Sequence, residues 1–172
     1  MALLVRLERW LSAFLEVVVI LLTSGLAIVV LLAVIFRKAG HSLVWYDEVA
    51  SIMLAWLTYY GAAFAALKRA HIGFPGLVES LRPNLRIAVV WFGEAVVIGF
   101  FGLLAWVGWE VLVVLEGDYL ISLPEVPSQF VQSVIPIGAA LFIIAQLLSL
   151  PRTLDEARRG VRHDIPPELS EE

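Results

Sequence analysis

Nineteen consecutive uncharged residues, Val49 to Leu67, stand between Asp47-Glu48 on one side and Lys68-Arg69-Ala70-His71 on the other. At 1.5 Å per residue, the path from Glu48 to Lys68 is about 30 Å as a helix, the hydrocarbon thickness of a bilayer. The stretch reads as a membrane span with a charged collar at each end. That reading constrains everything around it.

Three more runs have the same character. Val17 to Phe36 is 20 residues without a charge. Ile87 to Trp109 is 23 residues interrupted only by Glu94. Val126 to Leu150 is 25 uncharged residues, with Pro127 near its start and Pro136 inside. An internal proline is tolerated in a membrane helix when neighbours satisfy the freed carbonyl. A short basic start before an apolar run also marks a secretory signal peptide. Here the run is too long and no small-x-small cleavage site follows, so it is read as an uncleaved first span.

The expected fold is an all-α membrane protein of four transmembrane helices, with spans at about 14–36, 48–68, 87–112 and 127–150. These make one domain over residues 1–152, followed by a polar tail from 153 to 172. Composition agrees: a chain that is 60% hydrophobic and 16% charged, with mean hydropathy +0.89, is not a small soluble domain. The absence of cysteine excludes disulfides, thiol chemistry and iron–sulfur ligation. A net charge of −4 with scattered basic groups gives no nucleic-acid surface.

Orientation follows from the basic residues. Ten of the twelve lie before span one, between spans two and three, or after span four; only Arg37 and Lys38 lie in the other loops. Both termini are therefore expected in the cytoplasm. The outer loop between spans three and four is acidic, with Glu116, Asp118 and Glu125. The inner loop after His71 places Leu77, Val78 and Leu81 on one face, which suits either a short helix in the interface plane or an ordinary loop. The tail is expected to be disordered beyond a short helical start, and its polar end at Glu172 to be an unfused C-terminus.

Ionisable groups inside a membrane are functional candidates by default. Glu16 lies within one or two turns of the inner end of span one. Glu94 lies eight residues past Arg86, about 12 Å into the bilayer. Either is a candidate proton site, but with no second acid or internal base at its depth Glu94 is read first as making an interhelical hydrogen bond, to a Ser or Thr of another span or to a partner subunit. His41, His71 and His163 are too far apart to ligate a haem within the bundle, and no cluster has metal-ligand spacing. No cofactor, metal or catalytic residue is expected. Span two also carries small residues, with Gly61/Ala65 and Ala62/Ala66 at i, i+4, which permit close helix approach. Trp56, Tyr59 and Tyr60 sit near its middle and need polar partners inside a bundle. The two halves show no repeat, and no polar groups converge at the midplane as in a self-sufficient carrier.

Trp45-Tyr46-Asp47-Glu48, then Trp56, then Gly61-Ala62-Ala63, then Lys68-Arg69-Ala70-His71-Ile72, resembles the small membrane subunit of the tripartite ATP-independent periplasmic transporters, the DctQ-like family. Pro136-Ile137-Gly138 resembles its last helix. One departure is Gly73-Phe74, where members often carry a small apolar residue and an aspartate. The resemblance implies a non-catalytic subunit of a bacterial or archaeal cytoplasmic (inner) membrane. It would scaffold a large transmembrane subunit that holds the substrate and sodium sites, with a periplasmic solute-binding protein delivering an organic acid. Asp47, Glu48, Trp56 and His71 match the motif and would hold the helix at the interfaces and against the large subunit. The acidic outer loop is a candidate dock for the binding protein. The competing readings are a stand-alone proton-coupled carrier using Glu94 or Glu16, and a membrane redox protein.

Overall fold

The computed structural model describes residues 2–68 and 82–159. The expected interfacial helix after His71, and the tail beyond 159, lie outside them. The described residues form α1 (Ala2–Lys38), α2 (Tyr46–Lys68), α3 (Pro83–Val114), a short α4 (Ser128–Gln132) and α5 (Val134–Arg159). Four of these are long and apolar enough to cross a membrane.

Local chemistry sets the ends. α1 closes with Arg37 and Lys38 in its last turn, where cations oppose the negative end of the helix dipole. Gly40, at φ +79, then turns the chain. Its amide returns to the Arg37 carbonyl and that of His41 to the Phe36 carbonyl, the bond pair of a left-handed helix stop. α2 opens with Asp47 and Glu48 and ends at Lys68, both favourable to its dipole. α3 opens on Pro83, whose missing N–H would be unsatisfied at a first turn anyway.

The fourth expected span is split. α4 ends at Gln132 and α5 begins at Val134. Pro136 lies four residues after Gln132 and has no amide for its carbonyl, so the helical ladder is interrupted there. Tyr119 and Pro127 bridge the loop before α4, and the Ser128 amide reaches the Asp118 carbonyl at 2.8 Å.

The spans stand in a row, α1–α2–α5–α3. α2 and α5 pack at the centre, α1 lies on α2, α3 lies on α5, and α1 touches α5 only slightly. Burial follows this order: a third of the most apolar window of α5 is buried (33%), against 6% for α1 and for α3. Leu15, Ala63, Ala66, Leu67, Phe142 and Ala145 form the core. Phe101 of α3 stacks on Phe142 of α5 with ring centres 3.7 Å apart. Around this thin core Phe92, Phe100, Leu103 and Leu21 stay exposed, as a lipid-facing surface requires. At 37 and 32 residues, α1 and α3 are about 55 and 48 Å long, so they tilt or reach into the headgroup layer. The first and last spans end together, where Arg152 pairs with Glu8 at 2.8 Å.

Two glycines permit the central packing. A Cβ on Gly138 would lie 2.7 Å from the Cβ of Tyr59. One on Gly108 would meet Ile135 at 2.7 Å and the Pro136 backbone at 3.1 Å. Gly138→Ala and Gly108→Ala are each expected to cost about 1–3 kcal/mol, as overpacked cores do. Gly99→Ala, which meets nothing within 4 Å, should cost little. Thermal unfolding of the three variants in detergent checks the order.

Candidate functional site

The two acids of the first collar have different roles in the structure. The Glu48 carboxylate accepts hydrogen bonds from the Ser122 amide, at 2.9 Å, and from the Ser122 hydroxyl. It thereby ties the start of α2 to the loop between α3 and α4. Asp47 is exposed, and its backbone carbonyl accepts from the Ser51 hydroxyl at 2.7 Å.

Trp56 finds its polar partner within the chain. Its indole N–H donates to the Val131 carbonyl at 2.9 Å. That carbonyl sits at the α4–α5 break, one residue before the Gln132 carbonyl that Pro136 leaves without an amide, and the indole gives it a donor there. Phe130 and Tyr60 pack beside the indole, with ring centres 5.4 and 6.3 Å away. Gln129 acts similarly, donating from its amide to the Leu112 carbonyl at 2.9 Å, one of the last four carbonyls of α3. Sequence reasoning did not single out Gln129 or Ser122. Neither has a spacing signal; each is placed by the fold of the loop.

Glu94 is buried, 9% exposed, and its carboxylate accepts a hydrogen bond from the Gln146 amide of α5 at 2.7 Å. An interhelical bond is therefore present, but its partner is the Gln146 amide and not a serine, a threonine or another subunit. Gln146 was legible in one respect. It lies six residues before Arg152, and Glu94 lies eight after Arg86 on an antiparallel neighbour, so the two are at about 9 and 12 Å from their collars. Exposed Trp91 and Trp109 lie 18 residues apart on α3, about 27 Å, an interfacial spacing. From Trp91, Glu94 is only about 5 Å further along, which places it near one edge of the hydrocarbon.

Glu16 is exposed and opens onto a cleft at the end of the bundle where α1 begins and α5 ends. It belongs to α1 and Glu94 to α3, on opposite sides of the α2–α5 pair, so the two do not form a relay. The small residues of α2 separate as well. Ala66 is in the chain's own core and Ala62 packs against it, whereas a Cβ on Gly61 would enter open space. His71 lies outside the described residues. Among those described, no three His, Cys, Asp or Glu side chains converge as metal ligands.

The loop clasp yields a measurable expectation. Glu48→Ala should raise amide exchange at Ser122 about tenfold, the loss of a bond to a charged acceptor. Trp56→Phe should leave Ser122 protected and should loosen the α4–α5 break. Hydrogen exchange read by mass spectrometry separates the two effects.

The described fold is thus four spans in which Glu48, Trp56, Glu94, Gln129 and Gln146 each bond within the chain, with Glu48 and Trp56 of span two anchored on the α3–α4 loop and the α4–α5 break. No curated protein matches the chain. The family model described as tripartite ATP-independent periplasmic transporters, DctQ component, matches residues 26–156, which run from the middle of α1 almost to the end of α5. The chain belongs to this DctQ family, the small component of such transporters.

Proposed function

We propose that this chain is a non-catalytic scaffold for the large membrane subunit of a sodium-coupled, binding-protein-dependent importer of organic acids. The observation that carries the reading is the use of its internal polar groups. Glu48, Trp56, Gln129, Glu94 and Gln146 each bond within the chain, and they are spread from one end of the bundle to the other. A substrate path needs polar groups that face a shared space, and each of these is bonded to a separate partner within the chain. The helix row leaves two broad apolar faces, a shape suited to packing beside a larger subunit.

The outward side of α2 is our choice for that contact. Asp47, Ser51, Ala55 and Thr58 are exposed along one stripe that runs on to Gly61. The hydroxyls of Ser51 and Thr58 are turned back onto carbonyls of their own helix. Small residues of this kind favour a helix neighbour over lipid. The orientation we propose, from the distribution of basic residues, puts both termini in the cytoplasm of a bacterial or archaeal cell. The loop carrying Glu116, Asp118 and Glu125 then faces the periplasm, where a binding protein would dock.

Affinity purification from native membranes, with mass spectrometry of what accompanies the chain, tests the reading. A stoichiometric large membrane subunit is expected. A chain that purifies alone and carries flux in liposomes overturns the proposal in favour of a proton-coupled carrier. Within an assembled complex, Glu94→Gln should leave transport close to wild type, because an amide still pairs with Gln146. A carrier that titrates Glu94 would lose transport outright. Thr58→Leu should weaken co-purification if the exposed stripe is the contact. Unchanged recovery of the complex would assign the contact to another face.

A further inference from the structure

One group of charges lies apart from the polar contacts described above. Where α1 begins and α5 ends, these helices and the end of α2 line an open cleft of about 590 Å³. Leu67 contributes an apolar wall, and Arg9, Glu16, Lys68, Glu8 and Arg152 are charged lining residues. Glu8 and Arg152 neutralise each other at 2.8 Å. The Lys68 ammonium lies over the Phe64 ring, 5.6 Å from its centre. Arg9 and Glu16 form no ion pair among the described residues. The cleft therefore offers one carboxylate, from Glu16, and cations from Arg9 and Lys68.

Its level in the membrane narrows the ligand. Trp10, 79% exposed on the same helix, has the character of an interfacial tryptophan. Glu16 is six residues further in, about 9 Å beyond Trp10. A carboxylate at that level needs a cation or water. Beside it, Phe14 and Val17 are 51% and 55% exposed, so an apolar surface continues from the cleft. We propose that this cleft binds the headgroup of a bilayer phospholipid that carries both a phosphate and a primary amine. The phosphate lies between Arg9 and Lys68, the amine folds inward from it to donate to Glu16, and the acyl chains follow Phe14 and Val17. A choline headgroup has no N–H to give Glu16, and a glycerol headgroup has no cation. The apolar continuation favours a lipid over a soluble zwitterion. The site does not depend on the identity of any partner subunit.

The test uses the full chain, with any subunit that accompanies it, in phosphatidylcholine/phosphatidylglycerol vesicles. These contain a trace of photoactivatable phosphatidylethanolamine or of the matching phosphatidylcholine probe. Crosslinked peptides are mapped by mass spectrometry. The ethanolamine probe should label the start of α1 about fivefold more than the choline probe, the discrimination expected of one exposed ion pair. Glu16→Gln should abolish that preference, Lys68→Gln should lower labelling by both probes, and Glu110→Gln at the other end should change neither. Equal labelling by both probes in the wild type, or a preference that survives Glu16→Gln, overturns the proposal. Should Glu16→Gln fail to fold, competition on the wild type decides. Soluble glycerophosphoethanolamine should not displace the probe, and displacement at millimolar concentration would assign the cleft to a soluble zwitterion instead.

Discussion

A polar group in hydrocarbon has no water to turn to, so its partner must come from the protein. In this chain that requirement is met along α5 and the short α4 before it. The Val131 carbonyl at the α4–α5 break, next to the one that Pro136 leaves without an amide, takes the indole N–H of Trp56. The buried carboxylate of Glu94 takes the amide of Gln146. Gln129 satisfies the end of α3. These bonds hold α2 and α3 to the same central element, and Gly138 and Gly108 let the backbones come close enough to form them.

The two ends of the bundle are secured by different means. At one end Glu48 reaches into the α3–α4 loop and holds Ser122 by two bonds to a single carboxylate oxygen. At the other, Glu8 and Arg152 join the first and last spans through a bridge that is largely exposed and adds little stability. Between the ends, packing is thin: a few alanines, Leu15, Leu67 and a stacked phenylalanine pair. Such a structure gains little from burial and much from being surrounded, by lipid on its broad faces and, in our reading, by a larger subunit. This is the physical sense in which we propose that the chain serves as a scaffold.

Each acid that sequence reasoning singled out by position proved to depend on what stands opposite it. Asp47 and Glu48 are adjacent in sequence, yet one faces outward and the other clasps a loop. Ala62 and Ala66 share a helix face with other small residues, but they pack inward while Gly61 is open. Spacing along one helix gives a face; it does not say which neighbour that face meets.

What the sequence alone determined is the membrane reading, the four apolar lengths, and membership of the family through the motif of span two. These rest on local quantities: run length against bilayer thickness, and the order and spacing of residues along one helix. What only the tertiary structure decided is the row order of the helices, the split of the last span into α4 and α5, and the pairing of Glu94 with Gln146, Trp56 with Val131 and Glu48 with Ser122. Those partners are 52 to 75 residues apart in the chain. In an apolar sequence almost any helix face can meet any other, so the choice falls to glycine clearances and single hydrogen bonds, which exist only once the backbones are in place.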